Sequence, residues 1–104
     1  MKDDLLKIIS FYGVLPQLKH FNSEVFELNE AIINAENNRL IGISRKPSEL
    51  AIEHIAEEIA DCMVMIHQFI EYYKIDNNDI SNIMQRKIDR QLERIENEKD
   101  NKNN

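Results

Sequence analysis

Two pairs of acidic residues mark where this chain could do chemistry: Glu24 with Glu27, and Glu58 with Asp61. Each pair is spaced i, i+3. On a helix that spacing puts the two carboxylates about 60° apart around the axis and roughly one turn apart along it, so both face the same way. If the two helices pack antiparallel, four carboxylates converge. Hard oxygen ligands in that number suit Mg²⁺ or Mn²⁺, with water completing an octahedron. Such a cation bridges phosphate oxygens and helps to generate a hydroxide nucleophile. Lys87, Arg90 and Arg94, together with Arg45 and Lys46, supply the cations that would neutralise the rest of a polyphosphate.

The second pair lies in the stretch the chain is organised around, Ser48 to Lys74. Ile55, Ile59, Cys62, Ile66 and Phe69 form a seam at steps of three and four. Ala56, Ala60, Met63 and Ile70 widen it, and Val64 and Met65 nearly close the circle. A helix apolar on most sides is expected to be surrounded by other helices. Anions inside such a helix are costly unless something positive meets them, and this conflict points to a bound cation.

The remaining elements read as helices too. Lys2 to Tyr12 carries Leu5, Leu6, Ile8, Ile9 and Phe11 and ends at Gly13. Pro16 suits the first turn of a second helix that runs to about Asn37, with the stripe Leu18, Phe21, Val25, Leu28, Ile32 and Ala35. Glu24 and Glu27 border that stripe. Asn38 to Pro47 reads as a polar, basic loop with Leu40, Ile41 and Ile43 tucked into it. Ser48 is placed to cap the central helix, and Asp76 to Asp79 forms a turn that caps the last. The last helix carries Ile80, Ile83, Met84, Ile88, Leu92 and Ile95 on one face and Lys87, Arg90 and Arg94 on a neighbouring one. From Glu96 the composition is wholly polar and predicts a disordered tail.

Composition agrees. With 104 residues, 2 Gly, 2 Pro and no Trp, the chain has too few turn residues for a sheet protein and reads as one all-α domain over residues 1–95, a bundle of about four helices. A core this small gains from oligomerisation. The net charge of -6 argues against nucleic acid or an anionic membrane surface as the main partner. The single cysteine, Cys62, excludes an intrachain disulfide and fits a reducing cytoplasm. The acidic Met1–Asp4 lacks a signal-peptide pattern, and no apolar run is long enough to span a bilayer.

Ser23-Glu24-Val25-Phe26-Glu27-Leu28-Asn29-Glu30-Ala31-Ile32, followed by Glu57-Glu58-Ile59-Ala60-Asp61, resembles the MazG-type all-α nucleoside triphosphate pyrophosphohydrolases. Their signature is Glu-x-x-Glu on one helix and Glu-x-x-Asp on the next. Tyr12-Gly13 and Gln17-Leu18 resemble the lead-in to the first motif, and Lys87, Arg90 and Arg94 the basic positions of the last helix, so the likeness spans residues 8 to 95. It implies a MazG-like bundle assembling as a dimer or tetramer. It also implies Mg²⁺ held at Glu24, Glu27, Glu58 and Asp61, and attack by an activated water between the α- and β-phosphates of a (d)NTP, giving (d)NMP and pyrophosphate. Glu57, beside the second motif, would orient a ligand or act as base, with Glu58 alongside it in catalysis. Ser23 stands where the family usually has the first Glu of a doublet, which leaves the number of metal ions and the identity of the base open. The resemblance leaves the nucleotide open as well.

Two rival readings were weighed. A di-iron carboxylate bundle needs Glu-x-x-His, but the residues three before His20, His54 and His67 are Gln17, Ala51 and Val64. A helical interaction module without chemistry would use the apolar faces of the last two helices, yet it has no reason to place Asp61 in an apolar run. His54, one turn before Glu58, is within reach of the site but reads first as a partly exposed helix residue. Phe21, Phe26 and Tyr12 are candidates for stacking a base, though each suits the core as well. Cys62 reads as a small core residue.

Overall fold

The structure is a computed structural model that describes residues 1–42 and 46–103. Ile43, Ser44 and Arg45 of the expected basic loop lie outside the described residues. The described chain is all-α. It consists of α1 (Lys2–Tyr12), α2 (Val14–Ile41), α3 (Glu49–Tyr72) and α4 (Asn77–Asn103). None of these helices is long and apolar enough to cross a membrane.

Local chemistry sets the breaks. Gly13 separates α1 from α2 with φ 91° and ψ 158°, a conformation open essentially to glycine alone. Its N–H closes α1 on the Ile9 carbonyl at 2.8 Å, and its own carbonyl accepts from Gln17 N–H at 3.2 Å to open α2. Ser48 Oγ accepts from the Ala51 N–H at 3.1 Å, the N-cap expected for α3. Asp76 Oδ1 accepts from the Asn78 N–H at 2.7 Å at the start of α4.

Two helices run further than their sequence suggested. α2 continues through Ile41, and Leu40 and Ile41 stand 61% and 85% exposed instead of being tucked into a loop. The extra turn is held by Arg39, which pairs with Glu36 at 2.8 Å and places its charge in the last turn, where it meets the negative end of the helix dipole. α4 runs through Asn103, over the segment from Glu96 expected to be disordered. Polarity there accompanies helix-favouring Glu and Lys, and Glu96 and Lys99 pair at 3.6 Å.

The chain divides into two compact units, 1–73 and 74–104. In the first, α2 packs chiefly against α3, and α1 lies against both. Leu5 and Ile9 of α1, Ala31 and Ala35 of α2, and Cys62, Met65 and Ile70 of α3 are buried, and Phe21 meets Phe69 edge to face at 6.0 Å. The covered face of α2 is rotated from the expected stripe. Gln17 is buried and Glu24 half-buried, while Leu18 and Ile32 stay exposed. Nor is α3 enclosed on all sides: Ile59, Met63, Val64 and Ile66 remain exposed. The second unit is α4, whose apolar positions Ile83, Met84, Ile88, Leu92 and Ile95 are all exposed.

Gly13→Ala is expected to destabilise the fold by about 1–3 kcal/mol, because a Cβ is strained at this φ, although the space itself is open with Pro16 Cδ 3.6 Å away. Urea unfolding of wild type and variant measures it; an unchanged midpoint would show that the α1–α2 junction tolerates a side chain.

Candidate metal centre

α2 and α3 run antiparallel in a strict register. Gln17, near the start of α2, hydrogen-bonds Gln68, near the end of α3. Ten residues further along α2 and ten back along α3, Glu27 meets Glu58. One carboxylate oxygen each from Glu24, Glu27 and Glu58 lies within 4.8 Å of the others. Three of the four carboxylates expected to hold a metal are thus brought together from two helices.

Their surroundings make the grouping unusual. Glu58 is 9% exposed, and Glu24 is half-buried. Each keeps one buried oxygen, Oε2, with no hydrogen-bond partner among the described residues. Anionic oxygens in that state are unfavourable, because burial strips water from the charge without replacing its hydrogen bonds. Histidines approach their other oxygens. His20 Nε2 lies 2.8 Å from Glu24 Oε1, and His54 Nδ1 lies 3.9 Å from Glu58 Oε1, one turn earlier on the respective helices. Burial pushes the Glu58 carboxyl above its ordinary value, and the charges of Glu27, Asp61 and Glu24 push it further, against a weaker pull from His54. Burial and the same four carboxylates raise the Cys62 thiol, so Cys62 is a core residue held in its neutral form.

Asp61 is exposed and falls outside the trio, contrary to its expected place in a buried run. It lies one turn beyond Glu58, opposite Glu24, where it lines a cleft of about 490 Å³. That cleft is bounded by all three helices of the first unit. Tyr12 and Ile8 come from α1, Gln17, His20 and Glu24 from α2, and Asp61, Met65 and Gln68 from α3. Glu57 is exposed and belongs neither to the trio nor to the cleft. On α4, Lys87 and Arg90 share a surface depression of about 180 Å³ with Arg86, which the sequence reading did not single out; Arg94 is not part of it.

No family model, curated protein or solved structure matches this chain. The functional case therefore rests on the site alone.

The donor set fits a hard divalent cation. Three carboxylates from two helices, two of them with a bare buried oxygen, are a ligand set that lacks its charge partner. Glu58→Gln tests this. A raised folded pKa means that ionising Glu58 weakens the metal-free fold. The penalty is absent below the ordinary value of 4.5 and grows as the pH rises through the raised folded value. Without divalent cations, the variant is expected to melt above wild type at about pH 7, with the gap closing as the pH falls towards 4.5. Adding Mg²⁺ should lift wild type more than the variant. A variant that melts below wild type at neutral pH without metal would show that Glu58 is already well partnered.

Proposed function

We propose that the chain is a Mg²⁺-dependent nucleoside triphosphate pyrophosphohydrolase of the MazG-like all-α kind, splitting (d)NTP into (d)NMP and pyrophosphate. The observation that carries this reading is the carboxylate trio of Glu24, Glu27 and Glu58, in which two buried oxygens have no partner among the described residues, beside an open cleft that Glu24 also lines. All three side chains of the trio come from the paired Glu-x-x-Glu and Glu-x-x-Asp motifs, whose fourth member, Asp61, lines the cleft, and this supports a metal site over a chance acidic patch.

In this reading Glu24, Glu27 and Glu58 hold the cation, and Asp61, at the mouth of the cleft, completes the set or holds one of its waters. Mn²⁺ would serve as well, since both ions prefer oxygen ligands. When bound, the cation neutralises phosphate charge and acidifies a water for attack on the phosphoanhydride. The chain does the rest. Its carboxylates fix the phosphates against one wall, and its apolar helix seam keeps bulk water from the buried oxygens. Exposed Glu57, next to Glu58, is free to take a proton from solvent-facing water. Lys87 and Arg90, which share a depression on α4, are cations of the kind that bind phosphate.

Assembly as a dimer or tetramer is part of the proposal. It is supported by the exposed apolar positions of α3 and α4 and by an apolar groove of about 280 Å³ lined by Met1, Leu5, Ala60, Met63, Val64 and His67. The same surfaces favour the second reading, a helical interaction module without catalysis. The two readings part over the metal.

Mg²⁺ at a hundred times its Kd is expected to stabilise the fold by about 2.7 kcal/mol, read as a rise in melting temperature. Wild type should release pyrophosphate from at least one (d)NTP with Mg²⁺ present, and Glu58→Ala or Asp61→Ala should abolish release. Lys87→Ala should raise KM more than it lowers the melting temperature. Neither metal response nor pyrophosphate from any nucleotide leaves the interaction module standing.

A further inference from the structure

The cleft contains a pair of groups that metal and phosphate chemistry does not use. Gln17 and Gln68 are 5% and 2% exposed, and both line it. Gln17 Nε2 donates to Gln68 Oε1 at 2.7 Å. Among the described residues Gln68 Nε2 meets the Met65 thioether, at 3.6 Å, and a thioether is a weak acceptor. Two amides carry four N–H donors and two carbonyl acceptors between them. The contacts just named use half of the donors and one carbonyl, which leaves the Gln17 carbonyl and one hydrogen of each amide for a molecule in the cleft.

The helix register places these amides with respect to the acids. From Gln17 to Glu24 is seven residues along α2, and from Gln68 back to Asp61 is seven along α3. Seven residues bring a helix back to nearly the same face about 10.5 Å further on. So the four cleft-lining side chains form two facing pairs, amides at one end and carboxylates at the other, two turns apart. That is the reach from a phosphate through a sugar to the far edge of a base. Met65 lies between Asp61 and Gln68 along α3, and the cleft is also lined by Tyr12, so it offers the apolar and aromatic walls that a flat ring needs.

We propose that this cleft seats the nucleobase of the substrate, with the Gln17–Gln68 amide pair meeting the base's hydrogen-bonding edge. The proposal rests on the phosphohydrolase reading and names what that reading leaves open. Each natural base presents a donor beside an acceptor on its pairing edge, and an amide answers with an acceptor beside a donor. The Gln17–Gln68 bond holds the two amides at the seam, and the weak sulfur contact leaves Gln68 little to lose when a base replaces it.

The test compares the best natural deoxynucleoside triphosphate with the base-free deoxyribose 5-triphosphate, both with Mg²⁺, reading pyrophosphate. Wild type is expected to favour the natural substrate in kcat/KM by roughly ten- to a hundred-fold, the discrimination a bidentate base contact gives. Gln68→Met keeps the volume and removes the amide; it is expected to cut that ratio about tenfold, through KM for the natural substrate. Gln17→Leu should do the same. Tyr12→Ala, at an exposed position, decides the matter if both glutamine variants fail to fold, since a base seated against it loses stacking and the ratio falls. A ratio that stays at the wild-type value in every variant that folds overturns the proposal and leaves the hydrolase reading intact: the amides are then a structural clasp between helices. If wild type releases pyrophosphate from neither compound nor from any other (d)NTP, the hydrolase reading fails and this proposal with it.

Discussion

Carboxylates crowded into the seam between α2 and α3, two of them with a buried oxygen that has no hydrogen-bond partner among the described residues, are the constraint on which the first unit depends. Helices pack to remove apolar surface from water, and here that packing also draws Glu58, and part of Glu24, out of solvent. A fold with only a modest core is sensitive to bare carboxylate oxygens. In the proposed reading a cation would supply the opposing charge, and His20 and His54 flank Glu24 and Glu58 from their own helices. The raised carboxyl of Glu58 expresses the same conflict in its titration.

Much of the architecture was legible in the sequence, because it depends on local signals. Gly13, Ser48 and Asp76 end or begin helices through their own backbone freedom or side-chain oxygens, and no tertiary contact is needed to foresee that. The carboxylate pairs were legible for the same reason, since i, i+3 spacing fixes a shared face. What periodicity missed is the rotation of α2. Counting apolar residues put Leu18 and Ile32 inward, whereas the packed face takes Gln17, which finds its partner Gln68 on α3, and Glu24, which is drawn towards Glu58. A search for polar residues at matched seven-residue spacing on two helices would have found Gln68. Asp61 was misjudged for a related reason: α3 is apolar all round, but only one side of it is covered by α1 and α2, so apolar neighbours did not imply burial.

The two units make different demands. The first holds an open cleft and an acidic trio of which Glu58 is the buried member; the second is a long, amphipathic helix whose apolar stripe is exposed, with Arg86, Lys87 and Arg90 around one depression. A free helix with such a stripe owes its persistence to packing more than to intrinsic propensity. Both units thus present surfaces that an assembled protein would cover, and the catalytic and the assembly readings are complementary.

The matched register also limits how this scaffold can change. Deleting or inserting one residue between Gln17 and Glu24 would swing every later side chain of α2 by about 100° and separate amide from acid on that strand of the seam. The spacing can be lengthened only by about two whole turns at a time, and only if the facing helix lengthens with it. Variation in what the cleft accepts is therefore confined to replacing side chains at fixed stations, with the distance between the two ends held constant.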